Sequence, residues 1–137
     1  MEGLRAAGAA VISLVAEREG AVVGHVLFSP VTGEGEAQAW DALGLGPMAV
    51  APVAQRRGIG SALVRAGLAA CRAQGHLVVL VLGHPAYYPR FGFRPAATAG
   101  LRWEHGHDEA FFVAELEPGA LGGRSGVVRY RPEFDAV

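Results

Sequence analysis

Apolar positions along the chain fall into short β-branched runs broken by Gly, Pro and acidic residues, and one longer stretch has helical spacing. Val11-Ile12-Ser13-Leu14-Val15-Ala16 is β-branched and strand-length. Glu19-Gly20 supplies a turn, because Gly tolerates positive φ. Ala21 to Phe28 then reads as a second strand, so the two form an antiparallel hairpin. Residues 1–8 look like the tail of a helix or a loose lead-in, and Pro30 to Ala39 reads as a polar Gly/Glu loop. Trp40 to Val50 makes a third strand. Gly44, Gly46 and Pro47 within it predict a bulge or a close backbone approach.

Gly58 to Gln74 is the clearest helix. Ile59, Leu63, Gly67 and Ala70 form one stripe, widened by Val64, Leu68 and Cys71, while Arg65 and Arg72 fall on the polar side. Gly75 is a natural stop. The small residues Ala62, Ala66, Gly67, Ala69 and Ala70 let the helix sit close to a sheet. Leu77 to Leu82 is continuously apolar, as a central strand covered on both faces would be. A strand, helix and strand in succession imply a parallel pair. Gly83 to Phe93 is a compact segment rich in Pro and aromatics. Glu109–Leu116 and Val127–Tyr130 read as further strands, expected to be antiparallel. The fold class is mixed α/β.

Composition narrows the field. At 137 residues, 51% hydrophobic and 18% charged, the chain suits one ordered domain over residues 1–137. Twelve basic against 13 acidic residues leave no basic excess for nucleic acid. No apolar run approaches the ~18–20 residues of a membrane span. No basic-then-apolar leader opens the sequence, so the expectation is a cytoplasmic protein. Cys71 is the only cysteine, which excludes an internal disulfide. Lys is absent, which excludes a P-loop lysine and a Schiff base.

Candidate chemistry concentrates between Met48 and Ser61. A strand ends, a loop carries Gln55, Arg56 and Arg57, and Gly58-Ile59-Gly60-Ser61 opens the helix. First-turn N–H groups and the helix dipole favour an anion, glycines let it approach, and Arg adds bidentate charge. A phosphate or pyrophosphate is the natural guest. A dinucleotide fingerprint fits less well: Leu63 holds its third glycine position, and no acidic residue ends the next strand at Leu82-Gly83-His84.

Gln55-Arg56-Arg57-Gly58-Ile59-Gly60 resembles the Q/R-x-x-G-x-G/A signature of the GNAT superfamily of N-acetyltransferases. Met48-Ala49-Val50 looks like that family's cofactor strand, and Tyr88-Pro89-Arg90-Phe91-Gly92-Phe93 like its Y-x-x-x-G-F segment. The likeness runs over roughly residues 9–131, nearest a bacterial subgroup with a G-x-P-x-Y-Y-x-R-F-G-F segment. It implies acetyl-CoA as co-substrate, with Met48, Ala49 and Val50 pairing with pantetheine and Arg56 to Ser61 holding the pyrophosphate. It also implies an oxyanion donor at the Val50 N–H and a thiolate-protonating phenol at Tyr88, adjacent to the alternative Tyr87. No metal, nucleic acid or membrane is implied. The acceptor would be an amine of a small molecule or a protein N-terminus.

The general base is open among Asp41, His84, Glu17 and a relayed water. The chain begins almost at the hairpin, where the family normally has a strand and two helices. That predicts a shortened relative whose uncovered edge favours a homodimer or a partner chain, and it gives the alternative of a non-catalytic acyl-CoA-binding module. Elsewhere, His105-Gly106-His107-Asp108-Glu109 is weighed as a metal cluster and disfavoured, and His25 and Cys71 read as structural. Trp103 and the Phe111–Phe112 pair read as core or acceptor-pocket wall.

Overall fold

The computed structural model describes residues 3–6, 12–35, 38–51, 58–83, 85–106, 108–122 and 124–130. The chain divides into two compact units, Met1–Ser29 with Leu45–Gly75 and Pro30–Gly44 with His76–Val137. Strands β3 (Ala21–Glu34) and β4 (Ala39–Val50) contribute residues to both.

Unit 1 is built on β1 (Gly3–Ala6), β2 (Ile12–Arg18), the first part of β3 and the second part of β4, with helix α1 (Ile59–Ala73). The β2–β3 hairpin forms as its sequence predicts, from Ile12 opposite Phe28 to Arg18 opposite Ala21. Glu19 and Gly20 both take positive φ, 52° and 81°. That pair of left-handed residues matches the twist of the flanking strands. Gly24, Val26 and Phe28 alternate onto one face. α1 lies on that face with Ile59, Leu63, Val64, Gly67 and Cys71 buried. Two glycines allow the approach. A Cβ at Gly24 would stand 3.0 Å from both Ile59 Cγ2 and Leu63 Cδ1, and one at Gly67 would strike the Phe28 ring. Arg65 and Arg72 are exposed, as the helical period requires.

The N-terminal residues differ from expectation. Gly3–Ala6 is neither a helical tail nor a lead-in but a strand, antiparallel to β2 with Gly3 opposite Glu17. Gly-Leu-Arg-Ala contains no β-branched residue, so no local propensity announces it; strand state here comes from pairing with β2. β3 also overruns its expected end. It continues to Glu34 through the segment read as a loop from Pro30, leaving only residues 35–38 as the connection. Among the described residues β2 pairs with β3 as far as Phe28, and β9 (Gly126–Tyr130) pairs with it from Val31. Pro30 lies between these two pairings.

Unit 2 holds the strand order β4, β5 (Val78–Leu82), β8 (Phe111–Glu115) and β6 (Arg94–Pro95). β8 runs antiparallel to β5, with Leu82 opposite Phe111, and β6 pairs with β8 through Arg94 and Val113. β9 (Gly126–Tyr130) pairs antiparallel with the end of β3 and parallel with β7 (Leu101–Trp103). The antiparallel pairings of β8 with β5 and of β9 with β3 are those expected of the C-terminal strands, and the parallel β7–β9 pair is an addition to them. β7 and β6 span three and two residues, too short to show alternation in sequence. Val78–Val81 and Phe111–Ala114 are buried throughout, consistent with strands covered on both faces. Trp40 closes this core from β4: its ring occupies the space a Gly33 side chain would need, and its indole N–H donates to the Ser125 carbonyl at 3.0 Å.

Candidate active site

The end of β4 and the start of α1 are fixed to one another through β3. The Ala51 N–H donates to the Val23 carbonyl at 2.8 Å. One residue on, the bare face of Gly24 meets Ile59 and Leu63, with the Ala49 carbonyl 3.5 Å from its Cβ position. Gly24 was not singled out in the sequence. A glycine inside an otherwise apolar strand was the available signal, since it marks close backbone approach. Along β4, Met48 and Val50 are half-buried and Ala49 is exposed. Gly46 has φ 138°, a backbone state that side chains rarely adopt, in keeping with the irregularity its glycines predict.

α1 begins on Gly58, whose φ of 79° is left-handed and which has open space about its Cα. Its carbonyl accepts the first helical bond, from Ala62 N–H at 2.9 Å. Gly58 has no side chain to cap the helix, and the first turn contains no acidic residue. Ile59 is anchored at 4% exposure, whereas Gly60 and Ser61 are half-buried. This helix start therefore brings first-turn backbone N–H groups, the dipole's positive end and a glycine together. Gln55, Arg56 and Arg57 lie outside the described residues, as does His84.

Tyr88 belongs to unit 2. β5 ends at Leu82, and Gly83 N–H donates to the Ala110 carbonyl at 2.9 Å. The Tyr88 ring lies against Gly83 where a Cβ would otherwise be. Tyr88–Phe91 forms a 3-10 turn with Pro89 inside it and Gly92 closing it at φ 93°. Phe93 packs edge-on to Tyr88 with centroids 5.7 Å apart. Tyr88 is 7% exposed, whereas Tyr87 is only half-buried. Burial pushes the Tyr88 phenol above the ordinary tyrosine value, and the neighbouring Tyr87 adds to the shift. Tyr88 thus keeps its proton at neutral pH.

Of the base candidates, Asp41 is exposed on β4 between buried Trp40 and Ala42, and Glu17 is half-buried on β2. In the histidine-rich segment, His105 Nε2 pairs with Glu104 Oε1 at 3.1 Å and packs on Trp103, while His107 lies outside the described residues. Among the described residues no three His, Cys, Asp or Glu side chains gather as a metal site. His25 is a half-buried sheet residue, its Nε2 3.4 Å from Ser13 Oγ. Phe111 and Phe112 are core residues at 1% and 4% exposure. Among the described residues no helix is long and apolar enough to cross a membrane.

A family model described as an acetyltransferase (GNAT) domain matches residues 10–95, well over half of the chain. The chain belongs to the GNAT family. Among its relatives in that family, YhbS of Escherichia coli, an uncharacterized N-acetyltransferase, is 41% identical over 135 residues, or 96% of this chain and 79% of the relative. YjhQ of the same species is 45% identical over 86 residues, covering 63% of this chain and 48% of that one. The crystal structure of the E. coli GNAT protein YhbS in complex with CoA superposes with TM-score 0.84 and 38% identity, covering 92% of this chain and 70% of that one. A Brucella melitensis GNAT acetyltransferase in complex with acetyl-CoA gives TM-score 0.70 and 35% identity, over 91% and 69%. The mixed α/β fold with one long helix is therefore a GNAT fold, and the chain is an acetyltransferase.

Proposed function

We propose that this protein binds acetyl-CoA at the junction of β4 and α1 and transfers the acetyl group directly to an amine. The observation that carries the site is the start of α1: a left-handed Gly58 with no side-chain cap, then Gly60, fixed beside the end of β4 through Gly24. A pyrophosphate accepts hydrogen bonds from N–H groups so presented, and the helix dipole favours its charge. Gln55, Arg56 and Arg57 add donors and positive charge from the preceding loop. Met48, Ala49 and Val50 offer strand backbone to the amide groups of pantetheine. The two related structures that hold CoA and acetyl-CoA support this assignment.

In the reaction, the neutral amine nitrogen attacks the thioester carbonyl carbon. The oxyanion that forms is met by the Val50 N–H, where a donor matched to developing charge lowers the barrier. The C–S bond then breaks, the thiolate takes the Tyr88 hydroxyl proton, and the nitrogen releases a proton to solvent. An ordinary phenol, pKa ~10, lies within about two units of a thiol, and burial makes Tyr88 a weaker acid than that, so the transfer is modestly uphill and is completed by the proton the nitrogen releases. Acceptors are small-molecule amines or protein N-termini.

The test is a calorimetric titration of the whole chain with acetyl-CoA, NADH serving as the control ligand. Thiol release from acetyl-CoA is then followed against a panel of primary amines. Saturable binding of acetyl-CoA but not NADH, with amine-dependent thiol release, is the expected result. Absence of acetyl-CoA binding would overturn the site. Binding without thiol release from any amine would leave a CoA-binding protein and overturn the catalytic reading.

A further inference from the structure

The segment Tyr87-Tyr88-Pro89-Arg90-Phe91-Gly92-Phe93 contains side chains that acetyl transfer as described does not use. Tyr88 is held from within by two contacts. Gly83 lies under its ring, and buried Phe93 meets it edge-on at 5.7 Å. Its outer neighbour is Tyr87, with centroids 5.1 Å apart and planes at 84°. A half-buried aromatic ring on a short turn is a poor wall unless something holds it in place. Arg90 does so: its guanidinium carbon stands 5.0 Å from the Tyr87 ring centroid. The turn geometry dictates this contact. In a 3-10 helix residues i and i+3 eclipse one another, which places Arg90 above Tyr87. Phe91 meets Tyr87 edge-on at 5.1 Å. The Tyr-Tyr-x-Arg-Phe spacing therefore encodes an edge-to-face cluster in which exposed Arg90 meets half-buried Tyr87 and Tyr87 meets buried Tyr88.

We propose that Tyr87 and Arg90 are positioning residues, a cation–aromatic clamp that fixes the Tyr88 ring so that its hydroxyl is held at one place. This rests on Tyr88 being the acid that protonates the departing thiolate. Misplacement of a proton donor by an ångström is costly in rate, so a clamp on the donor's open side has a catalytic purpose. Arg90 on this account touches neither CoA nor acceptor and acts through Tyr87.

The test uses the whole chain with CoA bound and its tyrosine rings carbon-13 labelled, Tyr88 signals being assigned with Tyr88→Phe. In Arg90→Gln the Tyr88 ring signals shift and kcat for thiol release falls about two- to fivefold at unchanged KM for acetyl-CoA, the factor that a solvent-exposed cation–π contact corresponds to. Arg90→Lys, which keeps the cation, stays near wild type. Tyr87→Leu removes the wall itself, lowers kcat further, and serves if Arg90→Gln does not fold. Affinity for CoA is unchanged in all three by calorimetry. Unaltered Tyr88 signals, or an unaltered kcat, in both Arg90→Gln and Tyr87→Leu would overturn the clamp. So would a roughly tenfold loss of CoA affinity in Arg90→Gln with Tyr88 undisturbed, since Arg90 would then be a phosphate ligand. The acid role fails separately, if Tyr88→Phe leaves turnover intact.

Discussion

At the scale of single residues, two buried groups give opposite chemistry from the same cause. Burial raises the Tyr88 phenol and pushes the Cys71 thiol from 9.0 up to about 12. For Tyr88 it holds the proton in place until the thiolate appears, while making the phenol a weaker acid than an exposed tyrosine. Tyr88→Phe is expected to lower turnover by ~10²-fold, the lower end for loss of general acid catalysis, with acetyl-CoA affinity nearly unchanged. Steady-state kinetics with calorimetry would separate the two. The alkaline limb of the wild-type rate should lie above the ordinary tyrosine value and be absent from Tyr88→Phe. For Cys71 the same burial abolishes reactivity, since the thiolate is the nucleophile. A disulfide reagent at pH 8 should leave the native thiol unmodified and react at once in denaturant. Both shifts have the same sign for stability. Below pH 9 folded and unfolded chains alike keep these protons. As pH rises toward 12 the unfolded chain loses them first, so stability is lost across that window. Urea midpoints measured from pH 8 to 11 should fall accordingly.

At the scale of elements, the α1–β3 contact is the most exacting. Gly67→Ala should gain about 1 kcal/mol in helix propensity. The added Cβ would strike the Phe28 ring, however, and overpacking costs about 1–3 kcal/mol. A net loss of stability is expected, read from urea denaturation. Phe28→Leu in the Gly67→Ala background should recover part of it, because the two residues share one space. This contact was legible beforehand: the small residues of α1 announce close packing, and the 15-residue helix ends at Ala73, one residue short of its expected end. The hairpin was equally legible, since Glu19-Gly20 and the flanking β-branched runs are local signals. What was illegible depends on partners distant in sequence. β1 has no propensity of its own, β3 runs on through Pro30 to pair with β9, and β7 is three residues long. The site divides in the same way. Gly58, Gly60 and Tyr88 belong to short motifs and are visible in sequence, whereas Gly24 and Gly83 matter for what lies against them across the fold.

At the scale of the whole molecule, the proposed site joins ligand binding to folding. Its parts meet only in the fold, where the end of β4 and the first turn of α1 both lie against Gly24, which comes well before them in the chain. An unfolded chain cannot present them together, so acetyl-CoA binds the native state selectively. At a ligand concentration 100 times Kd, that selectivity adds about 2.7 kcal/mol to stability. For a chain of this length the melting temperature should rise by roughly 8–12 °C. NADH should give no comparable shift, because Leu63 stands where a dinucleotide fingerprint needs its third glycine. Gly58→Ala sharpens the measurement. Its open surroundings leave room for the methyl group, and the cost is the left-handed backbone at φ 79°, about 1–2 kcal/mol for an L residue. The variant should melt lower without ligand and gain less from acetyl-CoA, since relieving the strain turns the first-turn N–H groups away from the pyrophosphate. An equal gain in variant and wild type would mean that the phosphates are held elsewhere, and the α1 start would lose its place as the anion site.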